Sequence, residues 1–510
     1  MKKTVLLLSL IFTSIAALSQ NYWSKRFDFD FGNDYGRQVA VLDDGFVVNV
    51  NAFCQQNTRD CFGLIKFDLE GNRLWSRVVY DTLEINFFTS MVIKQDTIYI
   101  NANYSGVSGL EYTVLKFDLQ GNYLDRFDYW YPGVENFHWG RNLQIHQDKF
   151  FVHGSYRDTA TLFFRENIWA YDAAWNKLWE TNIPNNGYPR LSNTNSAATA
   201  DGGLAVIYAS WKNPGQRTVL TVEKYDAGGQ LEWRSTLPYE FNPYGNVVNI
   251  TQHPDGSYLG VWKIDTFGGF NYPYPDLLFK LDADGQLVWE RINYEQVNNF
   301  YDIFVAQNGD LIGCGITEDS PYDTIIEPDF FSGYIARFNA AGERLWERRI
   351  IEKREDTWFC ELYGGAEMPN GDLIFTGSID DTSFFPDPYP QNVWLLRVDG
   401  NGCLLPDCAT NQILLSSVAP MALRDSTIFR IFPLPFNERL LLGAELGQHI
   451  PAGDYRAILY DSKGQMIFDQ GFDPHHLQDF DTSRLPAGFY TLLVSRDGKP
   501  VQTLKAMKGG

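Results

Sequence analysis

Any chemistry run by side chains in this 510-residue chain would have to come from seven histidines, six cysteines or a surplus of carboxylates. The histidines are His138, His146, His153, His253, His449, His475 and His476. None forms the H-E-x-x-H spacing that sets two imidazoles and a general base around zinc, and no G-x-S-x-G turn presents a nucleophilic serine. No Cys/His cluster has zinc spacing either. Two facing carboxylates could act as general acid and base on a glycoside. With 63 Asp and Glu in the chain, however, proximity in sequence singles out no pair. The expectation is no identifiable catalytic residue, no metal and no cofactor.

The cysteines read as structural staples. Cys54 and Cys61 flank QQNTRD, Cys403 and Cys408 flank LLPD, and Cys314 and Cys360 remain to join neighbouring units. Disulfides suit an exported chain, although other pairings of the six stay open.

One acid recurs at a regular interval. Asp68, Asp118, Asp172, Asp226, Asp282 and Asp399 each begin a D-x-x-G-like phrase, with Asn339 in the slot once. A Trp follows at Trp75, Trp179, Trp233, Trp289 and Trp346, replaced once by Asp125. The segment LDADGQ starts like a calcium loop, but Asp282 and Asp284 supply too few oxygens and no Glu closes the loop, so a plain turn is expected. The phrase also resembles the docking motif of quinoprotein dehydrogenases and of outer-membrane assembly propellers. Those carry one more residue between Asp and Gly, and no quinone is expected here.

The elements around this phrase form a repeat. A second phrase alternates with it, a polar turn between β-rich runs, as in VLDDGFVVNV, QHPDGSYLGV and MPNGDLIFTG. Each phrase occurs seven times, at intervals of about 50–60 residues, which is the length of a four-stranded propeller blade. The D-G and N-G pairs supply the positive φ of tight hairpins. The fold class is therefore all-β, a seven-bladed β-propeller over 20–403 with the recurrent Trp packed between blades. In this reading KLDADGQLVWER joins the last strand of one blade to the first of the next. NYWSKRFDF, with Trp23 in the Trp slot, begins blade one, and the sequence leaves open whether that strand lies at the hub or closes the ring from outside.

Strand parity puts both short turn classes at one end of every blade and the long irregular connections at the other. Those connections are rich in aromatics, Asp and Asn, and loops on a rigid scaffold often carry function. The ligand candidates are Trp130, Tyr131, Trp139, Tyr272, Tyr274, Phe330, Phe331, Phe384, Phe385 and Tyr389. They could stack on sugars or form a protein-binding patch. They could also merely pack the loops onto the blades.

The two ends of the chain concern its destination. Lys2 and Lys3 precede an apolar run, with Ala17 and Ser19 placed for cleavage, so 1–19 read as an export signal. No other stretch is long and apolar enough to span a bilayer. A net charge of −21 argues against nucleic acid or an anionic membrane surface as partner. Residues 404–427 read as a linker and 428–510 as a small Ig-like β-sandwich. That last segment resembles the C-terminal sorting domain of the Bacteroidetes type IX secretion system. The likeness rests on IFPLPFNERL (Pro433, Pro435), LYDSKGQ (Asp461, Gly464) and LPAGFY (Leu485, Pro486, Gly488, Tyr490). It departs from the family at Leu434, where Asn is preferred. The resemblance implies passage through the type IX machinery to the cell surface or medium. Together these features lead to a secreted or surface-held binding module for a glycan or protein. A secreted polysaccharide-acting enzyme on the same scaffold is the alternative.

Overall fold

The computed structural model describes residues 22–508 apart from 28–33, 55–58, 80–83, 107–108, 130–138, 158–163, 184–189, 212–217, 242–247, 264–275, 293–297, 319–330, 354–359, 381–390, 405–407, 409–411, 417–428, 433–435, 437, 445–452, 462–464, 475 and 477. The chain divides into two compact units, Met1–Ser417 and Val418–Gly510. The described residues of both are strands and turns, without a helix.

The first unit is a succession of four-stranded antiparallel sheets. Ahead of them stands β1 (Trp23–Phe27). Sheet one is β2 (Tyr35–Leu42), β3 (Gly45–Cys54), β4 (Arg59–Phe67) and β5 (Arg73–Val79). Sheet two is β6 (Glu84–Lys94), β7 (Thr97–Gly106), β8 (Gly109–Asp118) and β9 (Tyr123–Tyr129). Sheet three is β10 (Trp139–His146), β11 (Lys149–Arg157), β12 (Phe164–Tyr171) and β13 (Lys177–Ile183). Sheet four is β14 (Arg190–Ala198), β15 (Leu204–Trp211), β16 (Thr218–Tyr225) and β17 (Leu231–Phe241). Sheet five is β18 (Val248–Gln252), β19 (Tyr258–Lys263), β20 (Asp276–Leu281) and β21 (Leu287–Ile292). Sheet six is β22 (Asn298–Val305), β23 (Leu311–Glu318), β24 (Phe331–Phe338) and β25 (Arg344–Lys353). The next three strands, β26 (Cys360–Glu367), β27 (Leu373–Asp380) and β28 (Gln391–Val398), form sheet seven, and β1 is its fourth member.

Contacts run between the leading strands of successive sheets: β2–β6, β6–β10, β10–β14, β14–β18, β18–β22 and β22–β26, then β26 back to β2. The leading strands are thus the inner ones, and this β-propeller-type repeat closes on itself. The hydrophobic core lies between sheets. Ile207 and Val222 of sheet four, for example, share a cluster with Trp262 and Phe279 of sheet five.

The D-x-x-G phrase does not link one sheet to the next, as the sequence pattern suggested. In the first six sheets it is the hairpin between the third and fourth strands of one sheet, and at Asp399 it follows the third strand of the seventh. Asp282 N–H donates to the Gln286 carbonyl, and Gly285 N–H donates back to the Asp282 carbonyl. The Asp282 carboxylate accepts the N–H groups of Asp284 and Gln286 at 3.0 and 2.8 Å. Asn339 replaces Asp without loss because its Oδ1 accepts the same two bonds, from Ala341 and Glu343. The strand that carries each Trp is therefore the fourth strand of its own sheet. By the same correction β1 does not begin the first sheet; of the two positions the sequence left open, it takes the outer, ring-closing one. It pairs antiparallel with β28 and completes the seventh, with Lys25 opposite Leu395.

The Trp residues make the joints between sheets. The indole of Trp233, on sheet four, lies over Gly285 in the turn of sheet five and donates to the Ala283 carbonyl at 2.9 Å. Trp75, Trp179 and Trp289 repeat the bond to Leu119, Ala227 and Ala340 at 3.2, 3.0 and 3.1 Å. Trp23 lies over Gly71 and Trp346 over Gly402. The joint between sheets two and three is inverted. Asp125 occupies the Trp slot, and the next turn carries Trp175 where the others carry Gly. Trp175 holds φ at 62° and stacks on Phe127 at 4.4 Å, so the ring comes from the opposite side of the seam.

The expected cysteine pairs divide. Cys403 and Cys408 are bonded. Cys314 and Cys360 are not joined by a disulfide; both are buried in the apolar cluster between sheets six and seven, where they pack as small hydrophobes. The side chains of Cys54 and Cys61 lie outside the described residues. Part of the expected linker is structured as well. β29 (Gln412–Ser416) pairs in parallel with β25 and adds a fifth strand to sheet six.

The second unit has two sheets around one core. β30 (Phe429–Phe432), β31 (Arg439–Ala444) and β34 (Gln478–Asp481) form one. β32 (Tyr455–Asp461), β33 (Met466–Phe472), β35 (Gly488–Arg496) and β36 (Lys499–Lys508) form the other. Phe429, Phe436, Leu440, Leu459, Tyr490 and Leu492 fill the core. Leu485 packs against it, and the Tyr490 hydroxyl donates to the Pro486 carbonyl at 2.7 Å, fixing the turn at Gly488. Asp461 accepts the Gln465 N–H through Oδ1 at 2.9 Å. Pro433, Pro435 and Gly464 lie outside the described residues.

Candidate functional site

The inner strands are irregular at one recurrent level. Pairing with the second strand slips between Gly36 and Gln38, Phe88 and Ser90, Gly140 and Asn142, Ser192 and Asn195, Phe300 and Asp302, and Leu362 and Gly364. Each slip is a bulge, which frees a backbone N–H from the ladder and redirects a side chain.

The freed N–H groups explain a belt of polar side chains just past the bulges. Met91 N–H donates to Gln38 Oε1 at 2.5 Å and Leu143 N–H to Ser90 Oγ at 2.7 Å. Asn142 Nδ2 donates to Asn195 Oδ1 at 2.6 Å, Asn195 Nδ2 to Asn249 Oδ1 at 3.2 Å, and Asn249 Nδ2 to Asp302 Oδ1 at 2.8 Å. Asp302 Oδ2 then accepts from Gly365 N–H at 3.2 Å. Each bond crosses to the next sheet. The circuit closes at Gly364, where a Cβ would stand 2.6 Å from the Arg37 carbonyl oxygen. Only glycine lets sheets seven and one approach so closely. Burial pushes the Asp302 carboxyl up to about 6 against the bonds it accepts.

The bulged residues of sheets one, six and seven are Arg37, Tyr301 and Tyr363, and they converge. The Arg37 guanidinium lies over the Tyr363 ring at 4.4 Å and the Tyr35 ring at 5.0 Å. Tyr301 stacks on Tyr363 with centroids 5.2 Å apart. Beneath them Glu361 is buried. It accepts hydrogen bonds from Ser378 Oγ at 3.1 Å, from the Tyr363 hydroxyl and from Tyr301. Burial nevertheless pushes its carboxyl up to about 7, and Asp380 nearby raises it further. Asp380 is itself pushed up to about 6 by burial, although Gln391 and Arg26 oppose the shift. The result is a half-buried cation against two adjacent aromatic rings, close to a buried carboxyl pushed up to about 7.

This cluster sits in the half of the inner strands away from the short turns. Both turn classes, first-to-second and third-to-fourth strand, emerge at one end of each antiparallel sheet. The long connections leave from the other end, whichever strand is counted first, so the expected parity is unaffected by the corrected strand order. Of the aromatic ligand candidates, Trp139 opens β10 and Phe331 opens β24, half-buried, with Phe331 opposite Glu318. The Trp139 side chain lies outside the described residues, as do Trp130, Tyr131, Tyr272, Tyr274, Phe330, Phe384, Phe385 and Tyr389.

Tyr35, Arg37, Tyr301, Glu361 and Tyr363 were not singled out by sequence. A signal existed for the belt: a polar residue recurs at the repeat interval, at Ser90, Asn142, Asn195, Asn249 and Asp302. The bulge that aims the preceding side chain has no such mark, since it shifts the alternation by one residue.

No family model and no curated protein matches the chain. Solved structures give distant likenesses. The propeller domain of the Trilobed protease from Pyrococcus furiosus, described as having an open velcro topology, is 10% identical with a TM-score of 0.44, over 75% of this chain and 100% of that one. The phage phi92 endosialidase is 8% identical with a TM-score of 0.44, over 96% and 88%. The Neurospora crassa Pan2 WD40 domain is 8% identical with a TM-score of 0.39, over 71% and 89%. At these values none bears on what this protein binds or does.

Proposed function

We propose that this protein is an exported, seven-bladed β-propeller that binds a glycan or protein ligand at its loop end, followed by an Ig-like C-terminal domain that directs it through type IX secretion. The observation that carries the binding reading is the asymmetry of the first unit. One end is occupied by repetitive turns whose polar groups satisfy one another. The other end carries every long connection and the Arg37–tyrosine cluster. Polar and aromatic groups that converge on a rigid scaffold are the usual makings of a ligand site. Purified protein presented to arrays of glycans and of extracellular proteins should retain a ligand. Retention of none would contradict the reading.

The export reading rests on the basic and apolar N-terminus and on the sorting-domain motifs. Its support within the second unit is that Leu485, Pro486, Gly488 and Tyr490 form one hydrogen-bonded turn on the core. Deleting 428–510 should leave the protein in the periplasm, and normal arrival outside the cell would defeat the assignment.

A second reading, a polysaccharide-acting enzyme, is favoured by Glu361. A carboxyl pushed up to about 7 beside a tyrosine hydroxyl is suited to general acid–base work. A hydrolysis screen over polysaccharides that returned activity sensitive to Glu361→Gln would favour it over the binding module.

A further inference from the structure

The arrangement of Arg37 has a consequence for ligand class. A guanidinium presents two apolar faces and five N–H donors in its plane. Here the guanidinium lies over two rings, those of Tyr35 and Tyr363, whose centroids are 6.2 Å apart and which meet it on adjacent sides. Among the described residues, Arg37's contacts are ring faces rather than hydrogen-bond acceptors. Glu361 and Arg37 attract each other electrostatically, but among the described residues no hydrogen bond joins them; the bonds Glu361 accepts come from Ser378, Tyr363 and Tyr301. The bulge at Arg37 and the two adjacent rings restrain the guanidinium before any ligand arrives. In-plane donors restrained in this way match a carboxylate, which accepts two parallel N–H bonds.

We infer that the Arg37 site takes a saccharide whose terminal sugar bears one carboxylate, with the carboxylate on the Arg37 guanidinium and the sugar ring against the tyrosines. This rests on the reading that the loop end binds a glycan. The whole-chain charge of −21 favours a single carboxylate over a polyanion, since each additional acid would meet net repulsion beyond the local pair. A peptide C-terminus is the less suitable carboxylate. Such termini are held by successive backbone N–H groups, whereas here the N–H groups of Gln38 and Gly365 already donate to Asn49 and Asp302.

The test uses the full chain on an array of oligosaccharides ending in glucuronate or galacturonate. Their neutral glucose- and galactose-terminated counterparts, and peptides with free C-termini, are included on the same surface. Acid-terminated sugars should bind about tenfold or more tighter than the neutral ones, the range expected for a charge-assisted pair. Arg37→Ala should remove that preference. Arg37→Lys, which keeps the charge but not the paired donors, should weaken it, and this variant decides the matter if Arg37→Ala melts early. Retention of neutral sugars or peptides with no preference for the carboxylated sugar would overturn the inference and leave the binding module standing. So would binding of acidic sugars that survives both substitutions. Failure of every probe would overturn both.

Discussion

At Gly285 two constraints meet in one residue. Its φ is 79°, and an added Cβ would come within 2.5 Å of the Trp233 indole. Gly371 has a similar φ of 86° but nothing within 4 Å of that position. Gly371→Ala should therefore cost only the backbone strain, about 1 kcal/mol, while Gly285→Ala adds overpacking of the joint and should cost about 2–4 kcal/mol. Equilibrium unfolding of the two variants separates the terms, and equal losses would mean the indole is not seated on the turn. Trp175 is the natural counterpart: where the preceding strand offers Asp125 instead of Trp, the turn position is free to carry a large side chain. Glu361 gives the pH dependence. Its folded carboxyl is pushed up to about 7 from an ordinary 4.5, so between these values the native state holds a proton that the unfolded chain has released. Stability therefore falls as pH rises through that window, by about 3 kcal/mol for a shift of this size. Glu361→Gln should remove that part of the decline in urea unfolding measured at roughly pH 5 and pH 7.5. The slope left by Asp380 and Asp302, both pushed up to about 6, should remain. Parallel profiles for variant and parent would contradict the assignment.

Among the elements, the inner strands depend on their bulges, and the belt shows how strictly. Asn195 and Asn249 each donate through Nδ2 and accept through Oδ1, so an amide suits them. Asp302 differs because both its oxygens accept, one from Asn249 Nδ2 and the other from Gly365 N–H. Asp302→Asn, though nearly isosteric, must turn an N–H toward one of those donors. It should cost about 1–3 kcal/mol in chemical denaturation, as expected for a buried donor left unpaired. A neutral result would mean the belt does not close through this residue. The belt also marks the limit of what sequence revealed about the elements. The hairpins were legible because D-x-x-G and D-G carry their own turn geometry. Assignment of strands to sheets was not, since a seven-fold repeat reads the same whichever strand is counted first. Only the position of β1 breaks that ambiguity, and its pairing with β28 joins residues at opposite ends of the first unit. The Arg37 cluster was hidden for a related reason. It gathers residues from sheets one, six and seven that become neighbours only when the sheets return to their starting point.

For the whole molecule, closure is the physical event on which the site depends. Sheet seven is built from both ends of the first unit: β26, β27 and β28 from its C-terminal part and β1 from its N-terminus. Side chains reinforce the same seam. Arg397 bonds Asp372 within sheet seven and donates to the Leu69 carbonyl of sheet one. Trp394 Nε1 donates to Ser24 Oγ at 2.8 Å, and Lys25 Nζ donates to the Glu70 carbonyl at 2.7 Å. If this seam opened, Arg37 on sheet one would separate from Tyr363 and Glu361 on sheet seven. Hydrogen exchange of the backbone amides in Trp23–Phe27 measures the seam most directly. Closure by β1 predicts that the amides facing β28 exchange slowly, with protection comparable to that of β28 itself. Exchange of all of them at the rate of an unstructured peptide, in a protein whose other strands stay protected, would contradict it.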